Sequence, residues 1–399
     1  MIPEVSSALL SERCAFIVMA VKKKAVLITG FESYENRILA AEKTLKAKGY
    51  EVTVIESDFR HLQKERRRDV RENLVFVPTF AYRKNLSVAR LWSHYRFSRD
   101  AFRFVEKIDP DLLYVTVPPN ALVKFAHGYK KEHPEVKVIF DVLDLWPESL
   151  PMHGIENTFP CKIWRSFRDR HIGCADFVFT ECELFRDKLA KYLPAGRCDI
   201  LYLSRKVRDF NGVTHLPENS VSLGYLGSIN NIIDIPRICD LVTELKALRP
   251  VTVHVIGNGE NRELFLNSLK DAGARVEYYG EIYDAAEKQR IFDGCHFGMN
   301  IMKNTVCVGL TMKSIDYFEA GLPIINNIPE DTKNLIRRFD AGVCYENDPK
   351  KTAREIIDIL DGDYLPMRDH SRVLFETLFS EERYEEILLS GMEIAERGE

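Results

Sequence analysis

Two successive series of short β-rich runs, each followed by residues at helical spacing, predict an α/β protein of two doubly wound parallel sheets facing a cleft. The first series opens with Ala25-Val26-Leu27-Ile28-Thr29, which ends at Gly30 and leads through Leu39, Leu45 and Gly49 to a second run, Glu51–Ile55. Strand, helix and strand in that order require a crossover, which makes the two strands parallel. The second series opens at Val221-Ser222-Leu223-Gly224-Tyr225-Leu226 and repeats the pattern. A chain of 399 residues is long enough for two such cores.

In chain order, residues 1–21 read as an N-terminal extension, with Met19 as a second candidate start. The extension holds Glu4 and Glu12 and lacks a basic leading segment, so a signal peptide is not expected. Residues 22–204 form the first predicted domain. Ligands in such sheets bind beyond the carboxyl ends of the strands, so Gly30 and Phe31 are expected at the cleft. From Arg60 to Arg103 the chain carries twelve Lys or Arg against four acids, interleaved with Leu86, Leu91, Trp92, Tyr95 and Phe97. That composition fits either an anionic bilayer surface or a phosphorylated acceptor, and equally a solvated helix face over ordinary core aromatics. No nucleic-acid module surrounds it. Asp111–Val117 and Lys137–Asp141 are the next strands, and Asp176–Thr180 reads as the last of the first domain.

Residues 205–219 read as a linker, residues 220–379 as the second domain and residues 380–399 as a terminal helix. In the second domain the turn Gly227-Ser228-Ile229-Asn230-Asn231 precedes a helical stripe at Ile235, Ile238, Leu241, Val242, Leu245 and Leu248. Val251–Ile256 ends at Gly257-Asn258-Gly259, Arg275–Ile282 follows, and His254 reads as a packed strand residue. Phe297–Ile301 and Gly342–Tyr345 complete the strands. Ser380 is a predicted N-cap, followed by acids and by Tyr384, Ile387, Leu388 and Met392 at helical spacing.

Composition is that of a soluble globular protein, 45% hydrophobic and 29% charged, and a net charge of −4 says little about partners. Nine scattered cysteines without a C-x-x-C pair suggest neither a zinc site nor a disulfide scaffold, which suits a reducing cytoplasm. No apolar run approaches the ~18 residues of a membrane-spanning helix.

The most informative stretch is Thr305–Thr332. It reads as a loop, a helix from Met312 to Ala320 stopped by Gly321, and a buried strand through Leu322-Pro323-Ile324-Ile325. Free N–H groups at the helix start, with Lys313 beside them, make a seat for a phosphate. Asp316 follows Lys313 by three residues, so a helix sets both on nearly one face, where they could hold a diphosphate and a ribose hydroxyl. A surface Lys–Asp pair on an amphipathic helix has the same spelling. Lys313–Ile325 resembles the P-x-K-hydrophobic-x-E-Y-x-A-x-G-x-P-V-I signature of the retaining, GT-B-fold glycosyltransferases of family 4 (group 1). Asp144-Leu145-Trp146-Pro147-Glu148-Ser149 resembles the D-L-W-P-E-S loop of members that build bacterial surface polysaccharides.

The resemblance implies two Rossmann-like domains, a final helix that crosses back onto the first, and transfer of a sugar with retention of configuration. It implies donor contacts from Gly227, Ser228, Asn230, Gly257, Asn258, Ile282, Thr311, Met312, Lys313 and Asp316, with Lys313 stabilising the leaving diphosphate. Acceptor contacts are expected from Gly30, Phe31, Asp144, Trp146 and Glu148, and Asp144 is a candidate catalytic residue. Two positions depart from the family: Val308 stands where many members have a Glu that contacts the donor sugar, and Thr311 where Pro or Gly is common. No metal or cofactor is expected, since Asp109-Pro110-Asp111 has D-x-D spelling but precedes a strand in the first domain. The expected donor is a nucleotide sugar, UDP-linked by default. The acceptor is expected to be a glycan or lipid-linked glycan, and the location the cytoplasm or the inner membrane face. A non-catalytic glycosyltransferase-like subunit and a nucleotide-sugar 2-epimerase are the rival readings.

Overall fold

The computed structural model describes residues 22–61, 63–67, 71–84, 87–149, 158–208, 216–305 and 307–398. The extension 1–21 with Met19, Arg68, Asp69 and Leu86 of the basic segment, and Gly212 of the linker lie outside the described residues.

The first sheet contains β1 (Lys24–Thr29), β2 (Glu51–Ser57), β3 (Leu74–Val77), β4 (Leu112–Val117), β5 (Lys137–Val142), β6 (Phe177–Thr180) and β7 (Cys198–Ile200). Its order is β3-β2-β1-β4-β5-β6-β7, and every pairing is parallel. All six residues of β4 are buried, as a central strand covered on both faces requires. Alternate residues of β1 feed two cores. Ala25 and Leu27 meet Ile38, Ala41 and Leu45 of α1 (Glu35–Ala47), whereas Val26 and Ile28 meet Phe97, Phe102 and Val105 of α2 (Val88–Ile108) and Leu122 of α3 (Asn120–Glu132). Two further helices, α4 (Phe159–Asp169) and α5 (Glu183–Leu189), complete this half.

The second sheet contains β8 (Val221–Leu226), β9 (Val251–Ile256), β10 (Arg275–Gly280), β11 (Phe297–Asn300), β12 (Ile324–Asn326) and β13 (Gly342–Cys344), in the order β10-β9-β8-β11-β12-β13, again all parallel. Around it lie α6 (Ile235–Lys246), α7 (Arg262–Asp271), α8 (Ala285–Asp293), α9 (Met312–Glu319), α10 (Asp331–Phe339), α11 (Pro349–Asp361) and α12 (Leu365–Leu378). The expected doubly wound α/β class holds for both halves.

The last helix, α13 (Glu381–Arg397), returns to the first sheet. Ser380 caps it, its Oγ accepting the Arg383 N–H at 3.2 Å. Tyr384, Leu388, Met392 and Ala395 then pack with α1 and with Phe177 and Phe179 of β6. Two strands were not legible as such. The first half continues past Asp176–Thr180 to the three-residue β7, and β3 sits inside the basic stretch. Both are edge strands too short to carry a periodic signal, and β7 has an exposed Asp199 at its centre.

Much of the basic stretch serves structure. Arg67 reaches Glu56 at 2.6 Å in a buried pair, Arg66 meets Asp58, Arg71 meets Glu42, and Arg96, Arg99 and Arg103 surround Asp100. Val88, Trp92 and Phe80 remain exposed beside them. Among the described residues no helix is long and apolar enough to cross a membrane.

At Gly391 α13 approaches the sheet so closely that a Cβ would lie 2.3 Å from Phe179 Cζ. Glycine to alanine inside a helix ordinarily stabilises by about 0.5–1 kcal/mol. Here the sign reverses: Gly391→Ala is expected to lower unfolding stability by about 1–3 kcal/mol, read from the urea midpoint.

Candidate functional site

The site is built where β8 and β11 part. They pair only at Leu223–Phe297 and Gly224–Gly298, and then diverge. The Leu226 N–H, left without a strand partner, donates to the Tyr317 hydroxyl of α9 at 2.7 Å. Gly298 makes room for that ring, since a Cβ there would lie 2.7 Å from it. The helix start is fixed separately. Thr311 Oγ1 caps the Ser314 N–H at 3.2 Å and lies 3.2 Å from Asn300 Oδ1, while Asn300 Nδ2 donates to Ser314 Oγ and Asn326 Oδ1, both at 2.9 Å. The first turn of α9 is thereby tied to the carboxyl ends of β11 and β12, and Gly321 at φ +62° ends the helix as expected.

Two amides of that turn, Met312 N–H and Lys313 N–H, have no acceptor among the described residues. The Lys313 ammonium lies 4.8 Å from the centre of the Tyr225 ring, and no carboxylate among the described residues pairs with it. Burial alone pushes its pKa down to about 8. A desolvated cation beside open amides at a helix start is an anion seat. Asp316 does not join Lys313; it lies 3.8 Å from Arg205 Nε in the chain leaving β7. Burial pushes the Asp316 carboxyl up, against Lys288, Arg205 and Arg208, which pull it down.

The predicted glycine turns meet beside this seat. Gly227 and Gly257 have φ of +114° and +139°, and a Cβ on Gly257 would lie 2.0 Å from the Gly227 carbonyl oxygen. Asn230 and Asn258 spend their side-chain oxygens on the local amides of Ile232 and Gly259. Ser228 and Asn258 are exposed, and Ile282 is half-buried at the end of β10.

Across the cleft is a cavity of about 560 Å³ whose lining includes Tyr34, Arg37, Asp144, Glu181, Arg205 and Met312. Arg37 is committed: Nε and Nη2 hold Asp141 at 3.0 and 2.7 Å, and Nη1 donates to the carbonyls of Leu201 and Tyr202. Glu181, the residue after β6, is pushed up to about 8 by burial, opposed by Arg37 and reinforced by Asp144 and Asp141. Asp144 is also raised by burial, against the Ser149 hydroxyl and Arg90. Trp146 and Glu148 are not among the residues lining this cavity. The Trp146 indole packs against Trp164 with Arg90 over its ring at 5.0 Å, and Glu148 accepts from Arg168 at 2.6 Å. Gly30 packs on Pro119, and Phe31 is buried between His61 and His94. Among the described residues no group of three His, Cys, Asp or Glu side chains is placed to hold a metal ion.

No protein-family model and no curated protein matches the sequence. Solved structures do match its architecture. A sucrose-phosphate synthase from Thermosynechococcus elongatus is 12% identical over 92% of this chain and 97% of its own, with a TM-score of 0.62. The lipopolysaccharide outer core galactosyltransferase WaaB in its apo form is 15% identical over 93% and 98%, with a TM-score of 0.65. Anabaena HepE, in complex with UDP and glucose, is 10% identical over 93% and 99%, with a TM-score of 0.59. The fold is GT-B. Identities this low carry the architecture only.

In this GT-B cleft the sequence brought Lys313, Met312, Thr311 and the two glycine turns together, and it missed four residues. Tyr317 and Tyr225 were readable only as core aromatics. Glu181 had one signal, an acid directly after an apolar strand. Asp331 had none. From α10 of the second half it accepts the Glu183 and Leu184 N–H groups at 2.6 and 2.9 Å, capping α5 of the first half, and the Tyr202 hydroxyl at 3.1 Å. It is fully buried, and Gly309 packs against it so tightly that a Cβ would lie 2.4 Å from Asp331 Oδ2. Asp331→Ala leaves those three donors without the carboxylate and is expected to cost about 2–4 kcal/mol of stability by urea denaturation.

Proposed function

We propose that this protein is a glycosyltransferase that moves a sugar from a nucleotide diphosphate sugar, UDP-linked, to a glycan or lipid-linked glycan acceptor in bacterial surface-polysaccharide synthesis. The observation that carries the reading is Lys313, a desolvated cation without a carboxylate partner among the described residues, beside the two open amides that begin α9. In the proposed reaction the sugar–phosphate bond breaks and negative charge accumulates on the departing diphosphate. Lys313 and the helix start would stabilise that charge, and such preorganised stabilisation is usually the largest catalytic contribution. Asp316 would accept from the ribose hydroxyls, and the glycines at 227 and 257 would let backbone approach the phosphates. The first half would bind the acceptor, with Asp144 at its edge, and configuration would be retained without a metal. That HepE, which shares the architecture, has been solved with UDP and glucose supports a nucleotide-sugar cleft.

Calorimetry with UDP, GDP and ADP tests the donor reading. UDP is expected to bind, with Lys313→Met and Asp316→Ala each weakening it by about 10- to 100-fold, the worth of a charge-assisted hydrogen bond. Absence of any nucleotide binding would leave a fold without this activity. The pH dependence follows from the free lysine. Below pH 8 Lys313 is charged and affinity is flat. As pH rises through about 8 the lysine must take up a proton to bind, so affinity falls, approaching tenfold per unit. Glu181 loses its proton in the same range and acts in the same direction, so Lys313→Met keeps a residual slope that the Lys313→Met/Glu181→Gln pair loses.

The basic segment 60–103 supports attachment to the anionic inner membrane face, with exposed Val88 and Trp92 as anchors. Sedimentation with phosphatidylglycerol vesicles is expected at low salt, weaker at high salt and weaker still for Trp92→Glu. Absence of sedimentation at low salt would remove the membrane from the proposal.

A further inference from the structure

The cavity between the halves is polarised. One part of its lining, Arg205 and exposed Lys206 of the chain leaving β7 together with Met312 at the start of α9, is a wall suited to phosphates. Its first-half side carries the Glu181 and Asp144 carboxyls with Tyr34, and Glu381 lies at the rim. Two cations act on the acids: Arg37, beside Glu181, already holds Asp141 with two nitrogens and two carbonyls with a third, and Arg90, beside Asp144, lies over the Trp146 ring. Asp144 is satisfied by the Ser149 hydroxyl and the Leu145 N–H. The Glu181 N–H donates to the Val142 carbonyl, but its carboxyl has no hydrogen-bond partner among the described residues, although it lines the cavity.

We propose that Glu181 and Asp144 are the sugar-reading wall of the donor site, and that they confine the transferred sugar to one without a carboxylate, a neutral or amino sugar rather than a uronic acid. The proposal rests on the donor reading above. Two neighbouring acids that share a desolvated wall favour having one proton between them. A sugar hydroxyl fits that state in both directions, donating to the ionised carboxylate and accepting from the protonated one. A sugar carboxylate would be a further acid on the same wall, with Arg37 unable to turn toward it without abandoning Asp141. Rejection by like charge is a means of specificity as effective as attraction. The sequence offers no carboxylate from the opposite loop, where Val308 stands. The wall that reads the donor sugar would then be on the first half, with Asp144 at the border between donor sugar and acceptor.

The test compares UDP, UDP-glucuronate and UDP-galacturonate by competition calorimetry at pH 7. Both uronates are expected to bind the wild-type protein at least about tenfold more weakly than UDP itself, as like-charge juxtaposition requires. In Glu181→Gln/Asp144→Asn, whose side chains keep their shape, they are expected to come within about threefold of UDP, and UDP binding serves as the folding control. A uronate that binds wild type as tightly as UDP overturns the proposal and leaves the donor reading standing. Uronates that remain tenfold weaker in the double variant assign the discrimination to other residues and overturn it too. If UDP does not bind wild type, the donor reading falls and takes the proposal with it.

Discussion

The buried pair of Arg37 and Asp141 is the constraint on which the cleft edge of the first half depends. Arg37 comes from α1, Asp141 from β5, the Tyr114 hydroxyl that also meets Asp141 from β4, and the carbonyls of Leu201 and Tyr202 from the chain leaving β7. Four segments far apart in sequence thus converge on one ion pair, and the Arg37 guanidinium lies 5.4 Å from the centre of the Tyr384 ring of α13. Burying such a pair costs solvation for both partners, and an apolar replacement could match its stability. What an apolar replacement could not do is fix the directions of five groups at once. The position of the linker relative to the first sheet, and with it the position of Arg205 beside Asp316, follows from that geometry.

The second half solves a different problem. At the point where β8 and β11 separate, backbone groups lose their partners, and α9 supplies one through Tyr317 while exposing its own first turn to the cleft. One short helix closes the sheet and opens an anion seat. Its lysine is held against an aromatic face instead of a carboxylate, which lowers the cost of desolvation without neutralising the charge. An ion pair at that place would have occupied the seat permanently.

The run Val26-Leu27-Ile28 was legible because burial on both faces leaves an uninterrupted apolar signature, and Val251–Ile256 because its buried Val residues alternate with the partly covered Thr252 and His254. β3 and β7 were not, because a short edge strand draws its stability from its neighbour and needs no pattern of its own. In the site, the helix and its stop were legible from Thr311, Lys313 and Gly321, which encode local conformation. The expectation that Lys313 and Asp316 act from one face missed what surrounds them: Tyr225 captures the first, and Arg205 faces the second. Trp146 and Glu148 were legible as a motif but not as to which side of their loop is covered, since Trp164 and Arg168 come from a helix that the sequence does not tie to them. Asp331 caps a helix more than a hundred residues away, a pairing for which one sequence holds no trace.

That cap also decides how the halves can move. Because the Asp331 carboxylate completes the start of α5, the two domains do not meet across a lubricated surface along which small angles of opening carry small costs. Three donors, the Tyr202 hydroxyl buried and the Glu183 and Leu184 N–H groups partly so, would have to give up one carboxylate together and find water together. An opening that parted Asp331 from α5 would therefore be a step between two discrete arrangements rather than a graded slide.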